Sequence, residues 1–399
     1  MIDTVVLSID LLDPATPAYI YENMYDQWTP NLNGIMTAPY IEFGRKKYIT
    51  AQLSPSDQDI KEKRYMPRVT LTKGVREGGF GLYLRIEFSA SKILFGNNFD
   101  ELEDGDLDAV CERLSYKLHC MGIAIDKEVL KVCHPKDLHY GKNIVYTDGT
   151  TPAPVIRYIN KSNITTRKNT DERGYKNGGE ACHFYNNVSG FCVYDKRKEL
   201  QNAKRTEKGN LEKDNACQLS LLNTFHLLEP FQVLRIEARN TTKKSIREVL
   251  RKVGVVMPET PTLADLFKKE LARKVLMYEM QVIEDNMPIV AKNRENLADF
   301  MANITAMNPK STFAQRIKAV AMKAVLYETG TRDFRKQIGA TNSQWSRFIA
   351  DVNSLNCKTR GLKGFEEIGT QLYDFKSVKL KDYVRKDEKA VDIVITVDV

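Results

Sequence analysis

Gly81-Leu82-Tyr83-Leu84-Arg85-Ile86-Glu87-Phe88 alternates apolar and polar residues without a break. That period of two marks a strand with one face in a core and the other turned away from it. Working outward, Ile2, Val5, Val6, Leu7 and Ile9 predict a first strand, and residues 36–90 hold several short strand candidates punctuated by Gly, Pro and Asp. Further strands are expected at Leu138–Tyr146, Ala181–Tyr185, Gly190–Tyr194 and Phe231–Arg239. Between them, Ala90–Asn98 is a compact segment that turns sharply. Residues 106–122 predict an amphipathic helix opened by acids, as its dipole prefers, and Lys127–Val132 a shorter one. From Ser245 onward the spacing becomes helical, with periodic stretches at 262–285 and 312–328.

The fold class expected is therefore α+β: a central antiparallel sheet with helices on one face over residues 1–240, then a mainly helical C-terminal domain over 241–399. Within the latter, Lys323–Leu326, Arg332–Gly339 and Asn342–Val352 have the spacing of a helix-turn-helix around 323–352, with Gly339 stopping one helix and Thr341 or Asn342 capping the next. Gln344, Ser346 and Arg347 are its candidate base-edge readers.

Composition narrows the chemistry. Sixty Lys and Arg against 52 Asp and Glu leave a net charge of +8 over 399 residues, a mild bias toward polyanionic partners. Residues 160–180 and 196–215 are polar and basic, the second with seven basic against four acidic side chains. Such a run forms a solvated helix or loop, or an arm that contacts phosphates. There is no run near the ~20 apolar residues a bilayer span needs, and the start lacks the basic and apolar regions of a signal peptide. A soluble, intracellular protein without membrane partners is expected. The seven cysteines include no C-x-x-C pair, so reduced thiols are expected, although Cys133-His134, Cys182-His183 and Cys192 could be drawn together as a zinc site. The chain has no Walker A run, no G-x-G-x-x-G between strand and helix, and no G-x-S-x-G, which removes most of the weight from nucleotide-driven, dinucleotide and serine-hydrolase chemistry.

Three features bear chemistry. Arg235, Glu237 and Arg239 share one face of their strand, and Arg85 and Glu87 repeat part of the pattern. Each carboxylate is a structural ion pair or a metal ligand beside phosphate-binding arginines. Tyr194 closes an apolar strand just before Asp195-Lys196-Arg197-Lys198-Glu199. A phenol with a pKa near ~10 is a poor nucleophile unless neighbouring cations help it. Any one of 18 tyrosines is more commonly a half-buried strand residue, and Tyr185, one strand earlier, is the rival. His139, within Asp137–Asn143, is either a satisfied core or surface histidine or a third member of a nitrogen and oxygen set with Glu87 and Glu237 suited to Mg²⁺ or Mn²⁺.

These segments, in this order, resemble the gene II replication initiators of filamentous phages and, more distantly, plasmid rolling-circle initiators. The resemblance lies in the Met1-Ile2-Asp3 start leading into a strand, and in Ile86–Asn98 as the Glu, Ala-Ser, Lys-x-Leu, Gly-x-Asn segment. It continues in Val193–Leu200 as the tyrosine strand with Tyr-x-Lys and Glu-Leu, in Leu234–Arg239 as Arg-x-Glu-Ala-Arg, and more loosely in Gly339–Phe348 as the Ser-x-Trp-Arg region. It implies a metal-dependent enzyme that nicks one strand at an origin, keeps the 5′ phosphate on a tyrosine, leaves a 3′ hydroxyl for polymerase and later rejoins the displaced strand. Resealing by transesterification needs no nucleotide cofactor, in keeping with the missing Walker motif.

By the same resemblance Tyr194 is the nucleophile and Lys196 assists it. Glu87, Glu237 and His139 hold Mg²⁺ or Mn²⁺, while Arg235, Arg239 and Lys198 contact DNA. The implied partners are supercoiled double-stranded and single-stranded origin DNA, with host helicase and polymerase, in the cytoplasm of a bacterial host. Two departures are visible. Related nickases bind metal through a His-hydrophobic-His pair, which this chain lacks, and His139 stands where phage relatives carry an acid. Plasmid initiators place their tyrosine on an earlier strand, which keeps Tyr185 open. The alternative function is a non-catalytic DNA-binding replication or regulatory protein; a third is a host enzyme or scaffold whose basic charge is incidental.

Overall fold

In a computed structural model the described residues are 1–20, 22, 48–53, 59, 62, 64–76, 79–162, 169–170, 181–204, 218, 221, 225, 228, 231–359 and 361–385. Most of the basic segment 160–180 (163–168 and 171–180), the second half of 196–215 (205–215) and part of the strand-rich span 36–90 lie outside them. The strands are β1 (Ile2–Asp10), β2 (Tyr48–Leu53), β3 (Arg68–Arg76), β4 (Gly79–Ser89), β5 (Pro135–Tyr146), β6 (Asn169–Thr170), β7 (Ala181–Tyr185), β8 (Ser189–Asp195) and β9 (Gln232–Asn240). They form one antiparallel sheet in the order β2-β3-β4-β1-β5-β9-β8-β7-β6.

One face of this sheet carries the apolar half of each alternating pattern. Leu7, Leu84, Ile86, Leu138, Ile144, Leu234, Ile236, Phe191 and Val193 are all 0–1% exposed and belong to one core. Burying a side chain of this size contributes about 1.5–3 kcal/mol, so these positions fix both the register and the face. Covering them are α1 (Ala90–Phe95), α2 (Leu107–Cys120), α3 (Lys127–Val132) and α4 (Pro152–Ile159). C-terminal segments join the same core: α6 (Lys243–Lys252) through Ile246 and Leu250, α7 (Leu263–Leu266), and α8 (Lys269–Asp285) through Val275 and Leu276. The α+β class with a helical C-terminal half is thus the observed architecture.

The opposite face is covered at one end by a second, smaller cluster. Val145 and Val233 meet Phe99, Phe225, Phe231, Val378 and Leu380, together with Leu200 of α5 (Lys196–Lys204). The remainder of that face carries the polar half of the alternation.

Where β1 stops pairing with β5, side chains take over as partners for the strand. Asn143 N donates to Glu101 Oε1 at 2.5 Å, and Val145 N donates to Gln371 Oε1 at 2.9 Å. Glu101 also pairs with Lys142 at 2.7 Å, both almost fully buried. This satisfies a backbone edge that would otherwise leave buried donors unmet.

The C-terminal half continues with α9 (Leu297–Met307), α10 (Phe313–Glu328), α11 (Thr331–Gln337), α12 (Asn342–Asn353) and α13 (Lys363–Asp374). The turn between α11 and α12 follows the sequence expectation. Gly339 takes φ of 62°, which glycine adopts without a Cβ penalty, and Thr341 caps α12 by accepting from Gln344 N. Phe334, Trp345 and Phe348 pack together, with ring centroids 5.4–5.9 Å apart.

Candidate active site

Cross-strand register assembles the site. On β8 and β9, Tyr194 lies opposite Arg235, Cys192 opposite Glu237 and Gly190 opposite Arg239. On the other side of β9, β5 sets Asn143 opposite Arg235, Gly141 opposite Glu237 and His139 opposite Arg239. Opposed residues share a face, so all of these lie on the polar face of the sheet. The intervening positions are Phe191 and Val193 on β8, Ile236 and Ala238 on β9 and Tyr140 on β5, with the buried Lys142 the charged exception.

Glu237 is the hub. It is 3% exposed, and the Tyr194 hydroxyl donates to its Oε1 at 2.6 Å. Arg239 donates to Oε2 through both Nη2 at 2.7 Å and Nε at 3.2 Å, and Arg235 Nε lies 3.4 Å from Oε1. Burial alone would raise the Glu237 carboxyl, but Arg239, Arg235 and the Tyr194 hydroxyl outweigh it and hold the group well below the usual carboxylate range. It is ionised at neutral pH. The Tyr194 phenol moves the other way. Burial first, then the Glu199 and Glu237 carboxylates, push it well above its ordinary value. The resting pair is a neutral phenol donating to a carboxylate.

The two arginines differ in freedom. Arg235 is 3% exposed and anchored by Asp3 at 2.8 Å and by Asn143 Oδ1 at 3.0 Å. To reach them its guanidinium crosses β5 above Gly141, where a β-carbon would overlap it. The Arg239 side chain is 36% exposed and leans on Glu237 from the solvent side. Lys196, 2% exposed, pairs with Glu199 at 2.7 Å and holds its ammonium 5.6 Å from the centre of the Tyr194 ring. It therefore acts on the ring as a cation over a π face. Lys198 sits in the first turn of α5, where its backbone N–H donates to the capping Asp195 carboxylate.

The expected metal trio does not come together. Glu87 faces Val6 of β1, whose other neighbour is Asp137 of β5. Two strands lie between β4 and β9, so Glu87 is roughly 14 Å across the sheet from Glu237, and about four residues, or 13 Å, away along the strand direction. Glu87 pairs instead with Arg85 at 2.9 Å, and His139 Nε2 lies 3.6 Å from Asp137. Both Glu237 oxygens are engaged by cations and a phenol, a donor set that does not suit Mg²⁺ or Mn²⁺. Among the described residues no group of three or more His, Cys, Asp or Glu side chains is arranged to hold a metal ion, so the Cys133, Cys182 and Cys192 arrangement does not assemble either.

Tyr185 shares the polar face of the sheet but lies opposite Gly190, four residues along from the position facing Tyr194. Its ring rests against His183, not against a carboxylate. In α12, Gln344 spends its side-chain carbonyl on the cap, accepting from Thr341 N at 3.0 Å and Oγ1 at 2.9 Å; Arg347 is exposed on the next turn. Sequence reasoning passed over Asp3, Gly141 and Asn143 as site residues. The signal available was a polar or side-chain-free position repeating every second residue in otherwise apolar strands.

No family model, curated protein or solved structure matches this chain. Among the described residues no helix is long and apolar enough to cross a membrane.

Proposed function

We propose that the chain is a DNA strand-nicking and joining enzyme of the rolling-circle initiator kind, with Tyr194 as its nucleophile. The observation that carries this reading is the Tyr194 hydroxyl, 2.6 Å from a carboxylate that two arginines flank, on a partly exposed residue. In the reaction, departure of Arg239 from Glu237 toward the phosphate makes the carboxylate more basic, the phenolic proton passes to Glu237 Oε1, and the phenolic oxygen bonds to the phosphorus. The bond from phosphorus to the 3′ oxygen breaks, and that oxygen leaves as a hydroxyl after taking up a proton. Arg239, the more exposed guanidinium, turns to the phosphate, and the anchored Arg235 keeps a positive charge beside the negative charge that accumulates on the non-bridging oxygens. Rejoining is the same step in reverse. A divalent cation used by the reaction would need ligands other than Glu87, His139 and Glu237 as a set. Arg347 and the exposed start of α12 supply a second DNA contact in this reading, with supercoiled and single-stranded origin DNA as the substrates and host helicase and polymerase as the partners.

A second reading has its own support. A phenol held neutral, against a carboxylate already satisfied by two arginines, also suits a structural strut in a non-catalytic DNA-binding protein. One experiment separates them: the protein is incubated with supercoiled DNA carrying its own origin and Mg²⁺, denatured, and examined for a protein–DNA adduct. The enzyme forms the adduct and relaxes the circle, and Tyr194→Phe does neither while still binding DNA. A binding protein gives no adduct in either form. If affinity does not fall steeply between about 50 and 200 mM salt, neither DNA reading stands.

A further inference from the structure

The polar face of the sheet does not end at Tyr194. On β7, His183 lies opposite Cys192 and Tyr185 opposite Gly190, so the line from Glu237 through Cys192 reaches His183, and the line from Arg239 through Gly190 reaches Tyr185. The burial of β7 alternates, with Cys182 and Phe184 in the core and His183 and Tyr185 turned outward, Tyr185 being 36% exposed. Their rings lie 5.2 Å apart at an angle of 32°. Gly190 leaves the floor between Tyr185 and Arg239 without a side chain, and a β-carbon there would stand 2.8 Å from His183 Nε2. The imidazole thus lies low over the strand. It sits about 7 Å along the strand direction from the level of Tyr194, and Tyr185 about 13 Å.

We propose that His183 and Tyr185 form a stacking platform for a nucleobase of a single strand whose backbone runs past Arg239 to Tyr194. The inference rests on the strand-cleavage reading for its substrate class and adds the subsite that holds a base flanking the reacting phosphate. Proteins that hold single strands pair a cationic track for the backbone with aromatic rings for the bases. Here the cations Arg239 and Arg235 lie on β9, the rings on β7, and the small residues Gly190 and Cys192 between them on β8. Tyr185 on this account is a contact for the base and not the nucleophile.

The test uses the full chain and two probes of equal length, oligodeoxythymidylate and the same backbone with every base removed, with binding followed by fluorescence anisotropy. The native protein favours the base-bearing probe by about tenfold or more, as one stacked base warrants. Tyr185→Ala removes that preference and leaves affinity for the abasic backbone unchanged, whereas Tyr185→Phe retains it. Thermal melting of each variant establishes that it is folded. If Tyr185→Ala keeps the native preference, or if Tyr185→Phe loses it as fully as alanine does, the platform is overturned. Adduct formation reports on the cleavage reading separately: Tyr194→Phe abolishing the adduct while Tyr185→Phe forms it supports both. Loss of the adduct in Tyr185→Phe and not in Tyr194→Phe would make Tyr185 the nucleophile and overturn the platform. A ring-dependent preference without any adduct would refute the cleavage chemistry and support the platform as a base-binding surface.

Discussion

Replacing Glu237 with Gln isolates the hub without changing its size. The amide still accepts from Tyr194, but it removes the negative charge that Arg235 and Arg239 share and turns an N–H₂ toward one of them. Breaking one side of a buried ion pair typically costs about 3–5 kcal/mol. Here Arg235 keeps Asp3 and Asn143, and the Arg239 side chain is 36% exposed and falls back on water, which places the cost at the lower end, about 3 kcal/mol at pH 7. The pH dependence follows from the direction of the carboxyl shift. Because Glu237 is held below its ordinary range in the folded chain, its contribution is complete above the unfolded value of about 4.3 and is lost as pH falls below that toward the folded value. Urea unfolding of both proteins at pH 7 and again near pH 3 checks this: the native protein is the more stable at pH 7, and the gap narrows in acid. A gap under about 1 kcal/mol at pH 7, or one equally wide at both pH values, would refute the assignment of Glu237 as the charged hub. The phenol gives a second readout. Removing the Glu237 charge lowers the Tyr194 titration relative to the native protein in ultraviolet difference spectra, while burial still keeps it raised.

Other parts of the structure yield expectations of their own. Gly141→Ala drives a methyl group into the Arg235 guanidinium and is expected to cost about 1–3 kcal/mol, seen in the urea midpoint, and to reduce adduct formation with it. Glu101→Gln strips the countercharge from Lys142, only 1% exposed, and should destabilise the chain by about 3–5 kcal/mol, more than the same change at the solvent-exposed Glu270. Thr341→Ala removes the α12 cap and should cost about 1 kcal/mol by chemical denaturation, with Thr341→Ser restoring most of it.

Much of the local architecture was legible in the sequence because it depends on periodicity and capping. Lys127–Val132 and Ala181–Tyr185 match the observed elements end for end, and the Gly339 and Thr341 signals set the turn before α12. Arg235, Glu237 and Arg239 were placed on one face correctly because alternation within a strand is a local property. Neighbouring strands are not local. The observed register puts Glu87, His139, Tyr194 and Glu237 on the same side of the sheet, but the period of two contains nothing about that or about β1 and β5 lying between β4 and β9, and that spacing separates Glu87 from Glu237. His139 is drawn to Asp137, two residues away on its own strand, a competitor that a reading confined to metal ligands leaves out. The partners of Arg235 come from positions 3 and 143, and those of Lys142 from position 101, distances along the chain over which composition and spacing carry no information.

Strand β1 lies between β4 and β5, so it precedes in the chain both of the partners that flank it, and the second of these ends only at Tyr146. On a ribosome it therefore emerges with Val5, Val6 and Leu7 unpaired; one edge can close only once β4 has been made, at Ser89, and the other only once β5 has, at Tyr146. The Asp3 carboxylate waits longer still for the guanidinium of Arg235, so the charge network is sealed only when the chain's two ends of this sheet have met. Such long-range pairing makes folding slow and leaves an apolar strand open to wrong partners in the meantime. For this fold, the dependence on chaperones should concentrate in the interval before β9 is synthesised.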